Sequence, residues 1–325
     1  MEKLDTRLIK NFEERNLSKH SLGWISDYRL TAINLVKEMG MPKLSDEDWR
    51  FTSLKDFSLK DFSPIFSSKS KFKKPSLPDY IDKIDGYFIY IHNGNLVSGT
   101  EYPFTVEPLE ASFEFPEVKK VLLDDTLSKN KDFFYELGSA FIENGLYLKI
   151  DKSQKIDKPI IIINSFDSEL DNKFLNTRNI FFFGESSSAE IIEYSLSDSQ
   201  KEYFLNKTTT VNIESNSNVE HLLVEAGNKN SYIFSNLKII QARDSNFTTN
   251  SILTGGLLIR NNVHPMLNGE GANSNILGLY LSTEEQLMDN YMFVEHLKAN
   301  CESRQLYKGL LNDSSKGVFH GRILV

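Results

Sequence analysis

Gly184-Glu185-Ser186-Ser187-Ser188-Ala189, Glu214-Ser215-Asn216-Ser217-Asn218-Val219, Arg243-Asp244-Ser245-Asn246-Phe247 and Gly269-Glu270-Gly271-Ala272-Asn273-Ser274 are clusters of turn-forming residues, each leading into an apolar-rich segment. They begin at residues 184, 214, 243 and 269, in steps of 30, 29 and 26 residues. A near-constant step of this size marks a solenoid. Between the clusters lie β-branched and aromatic runs of four to seven residues with no long helical pattern. The predicted fold is therefore a parallel β-helix, a β-solenoid whose coils stack and bury an inward stripe. A β-sandwich stays open as the alternative; its turn signals would come about every 8 to 12 residues, without the longer beat.

Upstream of Gly145 the pattern is different. Leu22, Ile25, Ala32, Ile33, Val36 and Met39 keep mostly to three- and four-residue steps, predicting an amphipathic helix over Ser21–Met39 that Gly40 and Pro42 stop. Lys43–Lys74 fits neither period and reads as loops with short turns. Tyr87–Ile91 and Leu96-Val97 flank Asn93-Gly94, a hairpin signal because both residues tolerate positive φ. Helical spacing returns over Asp132–Glu143 and is expected to end at Asn144-Gly145. The chain thus divides into a helical and mixed N-terminal region, 1–144, and a mainly β core, 145–325.

Composition narrows the function classes. With 325 residues, 40% hydrophobic and 25% charged, the chain is globular rather than disordered. Lys+Arg 37 against Asp+Glu 45 leaves a net charge of −8, which opposes a broad grip on nucleic acid. Charges recur from Glu2 to Arg15, so no apolar signal core can be drawn there. No apolar run approaches the roughly 20 residues a membrane span needs. A cytoplasmic location without membrane contact is expected. One cysteine, Cys301, excludes an internal disulfide and a self-contained all-cysteine metal or cluster site.

Candidate chemistry is sparse. Gly269-Glu270-Gly271 opens like a dinucleotide loop, but Ser274 stands at the third glycine position and no strand-to-helix pattern frames it. A Gly-x-x-x-x-Gly-Lys-Ser/Thr segment is lacking, so ATP hydrolysis would belong to a partner. His296, Cys301 and His320 are conceivable metal ligands, although such residues are more often packed. Asp244, Glu270 and Asp289 could form a carboxylate set of the kind carbohydrate-cleaving solenoids use, although turns hold acids by default. From the residues alone, the chain is a cytosolic β-solenoid without an evident active site.

Ile259–Ala272 resembles the core of the SufB/SufD family of iron-sulfur cluster assembly proteins. His296–Gly309 and Val318–Val325 continue the likeness with the family's Tyr-Lys-Gly and Phe-x-Gly-Arg-Ile-x-Val patterns, and Glu47–Thr52 is similar to its Glu-x-Trp-Arg-Tyr-Thr segment. Phe133–Leu148 is similar to its helix-to-strand junction, and the short N-terminal region is more like the SufD branch than the SufB branch. The resemblance implies a right-handed parallel β-helix and a non-catalytic subunit of the SufBCD complex, supporting cluster assembly on a SufB-like scaffold with a SufC-like ATPase. Arg260, Asn261, Gly269, Gly271, His296, Cys301, Ser303, Lys308, Gly309, Phe319 and Gly321 are the family-signature positions, expected to shape turns and interfaces; none is assigned catalysis, cofactor or metal. No cofactor is expected on this chain alone; an iron-sulfur cluster would be shared with a partner. Rival readings are a β-helix carbohydrate-active enzyme and a purely structural interaction module.

Family members continue beyond the Gly-Arg-Ile-x-Val strand, so the sequence is expected to be C-terminally truncated, with the SufC contact region and cluster ligands beyond Val325. Phe319, Ile323, Leu324 and Val325 would then leave an uncapped coil edge open to pairing. Self-association at micromolar concentration is the expected outcome in analytical ultracentrifugation; a clean monomer would contradict it.

Overall fold

The computed structural model describes residues 2–66, 68–97, 100–126 and 132–325; Ser67 of the expected loop and Ser98 after the expected hairpin lie outside them. Helices α1 (Leu4–Glu14) and α2 (Gly23–Met39) open the chain, followed by strand β1 (Ser63–Ile65) and the single turn α3 (Asp79–Asp82). Strands β2 (Tyr87–His92), β3 (Asn95–Leu96) and β4 (Thr105–Pro108) precede α4 (Pro116–Thr126) and α5 (Phe133–Ala140). From there strands follow one another: β5 (Leu146–Ile150), β6 (Ile160–Phe166), β7 (Lys173–Phe183), β8 (Ser188–Ser197), β9 (Phe204–Ile213) and β10 (Asn218–Ala226). The last seven are β11 (Tyr232–Gln241), β12 (Asn246–Leu253), β13 (Leu258–Leu267), β14 (Asn273–Ser282), β15 (Leu287–His296), β16 (Glu302–Leu311) and β17 (Lys316–Leu324).

Each strand of the core pairs in parallel with the strand two places along. One sheet, A, runs β17-β15-β13-β11-β9-β7-β5-β4, and the other, B, runs β16-β14-β12-β10-β8-β6-β2-β3. Consecutive strands therefore belong to opposite sheets, and each coil adds one rung to both. The result is a mainly β parallel solenoid of about six turns, and parallel pairing of alternate strands excludes the antiparallel sandwich. In sheet B the paired starts Ser188, Asn218, Asn246, Asn273 and Glu302 step by 30, 28, 27 and 29 residues. The cluster spacing differs slightly because the third turn opens on Ala242, an apolar residue that the cluster pattern passes over.

The turns explain the clusters. Ser186, Asn216, Asp244, Gly271 and Asn300 take φ of 62, 61, 54, 73 and 58°, one left-handed residue per coil between sheets A and B. Short polar side chains and glycine tolerate that region best. Asn246 Nδ2 donates to Asn218 Oδ1 of the preceding coil at 3.0 Å, a rung of an asparagine ladder.

The lumen has three layers. Phe181, Phe183, Val211, Ile213, Ile239 and Val263 belong to one apolar cluster. Leu175, Leu205, Ile233, Ile259 and Met288 belong to a second. Between them Thr177, Lys207, Ser235, Asn261 and Asn290 occupy one register position on successive rungs of sheet A. Lys207 meets Glu193 Oε2 at 2.8 Å and Glu225 Oε1 at 3.3 Å, and His221 joins Glu193 Oε1 at 3.1 Å and Thr249 Oγ1 at 2.9 Å. All four charged or titratable side chains are buried. No sequence motif announces this cluster; its signal is charged residues at inward-facing strand positions. Further along, Gly278 lies against Tyr307 and Gly309 against Tyr280, each leaving room for a ring that a Cβ would strike.

Upstream elements follow the predicted order with shifted ends. The helix predicted over Ser21–Met39 is α2, and the Asn93-Gly94 hairpin joins β2 to β3 with φ of 46 and 83°. The helix predicted over Asp132–Glu143 is the shorter α5, capped by Asp132 accepting from the Tyr135 N–H at 2.9 Å. Asn144-Gly145 does not terminate it; Gly145 (φ 140°) lets the chain pass against the Arg178 backbone. Three helices are not evident in the sequence: α1, whose Leu4, Leu8 and Phe12 stripe hides among charges, the single turn α3, and α4. Both sheets also begin upstream of residue 145, since β2 pairs with β6 and β4 with β5.

Burial alone pushes the Glu193 carboxyl up, but Lys207 and His221 outweigh it and hold the group down to about 2, against an ordinary 4.5. A depressed carboxyl stabilises the fold above its unfolded value and loses that contribution as pH falls through the folded one. The stability difference between wild type and Glu193→Gln, measured by urea unfolding, is expected to be full above about pH 4.5 and to shrink toward pH 2. A pH-independent difference across that interval would contradict this assignment.

Candidate functional site

The outer face of sheet A is covered by the N-terminal region through aromatic packing. Phe174, Phe204 and Phe234 stand on successive odd strands and receive Phe57 and Phe134 from the covering segment. Phe134 stacks on Phe234 with centroids 3.6 Å apart, and Phe57 meets Phe204 edge-on at 5.0 Å. Beyond this seam the cover lifts off the sheet and leaves a cleft of about 560 Å³. Its floor includes Asn236, Lys238, Arg260, Asn262, His264 and Tyr291, and its roof includes Asp48, Trp49, Asp132 and Glu136.

Arg260 organises the inner end of this cleft. Its guanidinium lies 4.2 Å from the Trp49 ring centroid and 4.9 Å from that of Tyr291, a cation between two aromatic faces. Nη1 donates to Asp289 Oδ2 at 2.5 Å and Nε to Asn262 Oδ1 at 2.9 Å. The Thr52 hydroxyl donates to the same Asp289 oxygen from the covering segment. Arg260 and Asp289 are 2% and 0% exposed, so their charges are withdrawn from solvent and answered by each other. Trp49 and Thr52 therefore bolt the N-terminal segment to β13 and β15.

Toward the mouth, His264 Nε2 contacts Glu295 Oε1 at 2.6 Å, and the imidazole leans on Phe293 at 4.8 Å between centroids. The hydrogen bond from His264 lowers the Glu295 carboxyl below its usual range and outweighs its burial. Burial, reinforced by Asp48, pushes the Tyr291 hydroxyl up to about 12. Burial also raises the Asp132 carboxyl, partly offset by the Tyr135 N–H and by Arg260. His264 and Glu295 pair within sheet A, whereas Tyr291 with Asp48 and Arg260 with Asp132 interact across the cleft.

The signature positions do not converge on one site. Arg260 is in the clamp, whereas its neighbour Asn261 faces the lumen and donates to Asn290 Oδ1 at 3.3 Å. Gly269 and Gly271 form the turn after β13, where added side chains would strike the Ala242-Arg243 backbone and Asp244. Cys301 Sγ lies 3.3 Å from the Gly269 carbonyl in the next turn, and His296 Nε2 bonds Ser303 Oγ at 2.9 Å beside it. Lys308 stands exposed on the outer face of sheet B, Gly309 lies beside Tyr280, Phe319 packs on Tyr307 at 5.3 Å, and Gly321 lies near Gln305.

The two rival constellations come apart. Asp244 and Glu270 sit in adjacent turns, but Asp289 is buried under the roof with Arg260, so no carboxylate set forms. His320, on β17, faces outward from sheet A, 3.9 Å from Asp48 and away from His296 and Cys301. Among the described residues no group of three His, Cys, Asp or Glu side chains is placed to hold a metal ion.

The fold and clamp define a two-sheeted parallel β-solenoid whose N-terminal region is fastened along one face. Residues 2–162 match the SufBD protein N-terminal region, and residues 165–325 match the description "SUF system FeS cluster assembly, SufBD core domain". The chain belongs to the SufB/SufD family. It is similar to the iron-sulfur cluster assembly protein SufD of Escherichia coli, 24% identical over 88% of this chain and 66% of that one. SufD of Plasmodium berghei is 24% identical over 92% of this chain, which spans 22% of that relative. A SufBD family protein of Synechocystis is 19% identical over 91% of this chain and 68% of that one.

Breaking one partner of a buried ion pair typically costs about 3–5 kcal/mol. Arg260→Ala and Asp289→Ala are each expected to destabilise by about that much in urea unfolding, with the double variant well short of the sum. Arg260→Lys should not restore stability, since an ammonium lacks the planar face that lies between Trp49 and Tyr291. Full additivity, or a wild-type Arg260→Lys, would contradict the clamp.

Proposed function

We propose that this protein acts in iron-sulfur cluster assembly as a non-catalytic, cytoplasmic subunit that joins a SufB-like scaffold and a SufC-like ATPase. The match of both halves of the chain to one family supports this reading. The observation that carries it is the clamp: Arg260, the charged signature residue of the cleft, is engaged by Asp289, Asn262, Trp49 and Tyr291 and serves architecture.

The cluster is cargo in this reading. A cluster is held by about four ligands, commonly thiolates, and this chain supplies one cysteine, whose Sγ is directed at main-chain carbonyls. Ligands would come mainly from the scaffold subunit. The signature glycines support the same view, because they allow coils to close and tyrosines to seat in the lumen. No helix among the described residues is long and apolar enough to cross a membrane.

The test is co-expression of the tagged protein with the SufB-like and SufC-like proteins of its own organism. Co-elution of the three in size exclusion, and loss of cluster assembly when this chain is omitted, are expected. A chain that elutes alone, with cluster assembly unchanged by its omission, would overturn the proposal and favour an unrelated interaction module.

A further inference from the structure

The cleft between the cover and sheet A has walls of opposite sign. Among the described residues, every charged or titratable nitrogen base that lines it stands on the floor, as Lys238, Arg260, His264 and Arg322 of β11, β13 and β17. Every carboxylate that lines it stands on the roof: Asp46, Glu47 and Asp48 in the segment after α2, and Asp132 and Glu136 at the start of α5. Part of this charge is already spent, since His264 pairs with Glu295, and Lys238 and Glu136 have partners of their own. The volume of about 560 Å³ lies within the range of small-molecule sites, about 300–1,000 Å³.

Two donors of the floor remain unspent. Arg260 gives Nη1 to Asp289 and Nε to Asn262, and among the described residues its Nη2 makes no hydrogen bond. Asn262 Nδ2 donates to Asn236 Oδ1 at 2.8 Å, which fixes the Asn236 amide with its oxygen occupied. Asn236 lines the cleft, is 6% exposed, and its Nδ2 has no partner. Buried donors are normally satisfied, so one left over in a cavity wall points to an acceptor on a ligand. On the roof, Asp132 accepts the Tyr135 N–H as the cap of α5, and Asp48 faces Tyr291 and His320. Burial favours the neutral form of Asp132, and a cation beside it would restore its charge. A simple anion would meet the roof carboxylates, and a simple cation would meet the basic floor. A molecule that carries both signs satisfies both walls, and Met39, Phe133, Val263 and Phe293 line the same space for an apolar part.

We propose that this cleft binds a zwitterion of the amino-acid type, free or as a dipeptide, with its carboxylate on Arg260 Nη2 and Asn236 Nδ2, its ammonium toward Asp132 and Asp48, and an apolar side chain between the walls. The clamp keeps Nη1 and Nε of Arg260, so ligand and clamp use different atoms of one guanidinium. Bridging floor and roof, the ligand ties the N-terminal region to sheet A and stabilises the folded chain by mass action. No bond is made or broken, and the proposal stands whether or not the assembly reading does.

The probes are L-leucine and leucyl-leucine, titrated by calorimetry against the 325-residue protein, with N-acetylleucine and leucinamide as forms that lack one of the two charges. Sub-millimolar binding of at least one zwitterion is expected, with a raised urea midpoint, and the tighter of the two names the source. Removing either charge from the ligand should weaken binding at least about tenfold. Asp132→Asn, which keeps a capping side chain, and Asn236→Leu should each do the same. Glu190→Gln, exposed on the outer face of sheet B, should bind as wild type. Urea unfolding of each variant shows that it is folded, and the comparison of ligand forms on the wild-type chain needs no variant. Absence of binding by both zwitterions at millimolar concentration, equal binding of the acetylated or amidated form, or wild-type affinity in either cleft variant would overturn the proposal.

Discussion

Parallel pairing of each core strand from β5 onward with the strand two places along, in register over five rungs of sheet B, is the constraint on which the rest depends. A one-residue slip would exchange every inward and outward side chain. It would carry Lys207 and Glu225 out of the lumen and Arg260 into it. The left-handed residue in each A-to-B turn keeps coils of unequal length in step, which is why Ser, Asn, Asp and Gly recur there. Register also decides where chemistry is possible: a titratable residue at an inward position must find a partner inside, as Lys207 and Glu193 do.

Two kinds of buried charge follow. The lumen group joins the sheets across the stack, and the Arg260–Asp289 pair joins the stack to its cover. Such pairs add less to stability than well-packed apolar residues of the same size, but breaking one leaves a charge without an answer. Their effect is geometric specificity. Together with the aromatic seam of Phe57, Phe134, Phe204 and Phe234 they fix how the N-terminal region lies on sheet A. Sheet B, where α3 covers only the first rungs, keeps mostly aliphatic residues on the middle of its outer face, with Lys308 exposed at its last rung.

Much of this was legible in the sequence. Turn clusters at Gly184, Glu214 and Gly269 mark coil boundaries because a β-solenoid needs a left-handed or extended corner at a repeated position. The Asn93-Gly94 hairpin and the helix ending at Met39 were readable for equally local reasons. The α1 stripe was masked by Lys and Glu on its exposed side, and α4 carries only a weak amphipathic pattern. The clamp was half visible: Trp49, Thr52 and Arg260 stood within family-like segments, yet nothing local says that residues 52 and 289 touch. Side chains brought together by winding, such as Lys207 with Glu193 and Glu225, leave no spacing signature, since their separation reflects coil length rather than chemistry.

The register itself can be measured. Spin labels at the paired strand starts Ser188 and Glu302, far apart in sequence, stand four rungs apart in sheet B. Backbone positions there are separated by about 19 Å, so electron-electron dipolar spectroscopy should give one narrow population at about that distance plus the length of the labels. A broad distribution, or a separation well beyond 35 Å, would show that the coils do not stack in this register and would remove the basis of the clamp, the lumen cluster and the cleft floor together.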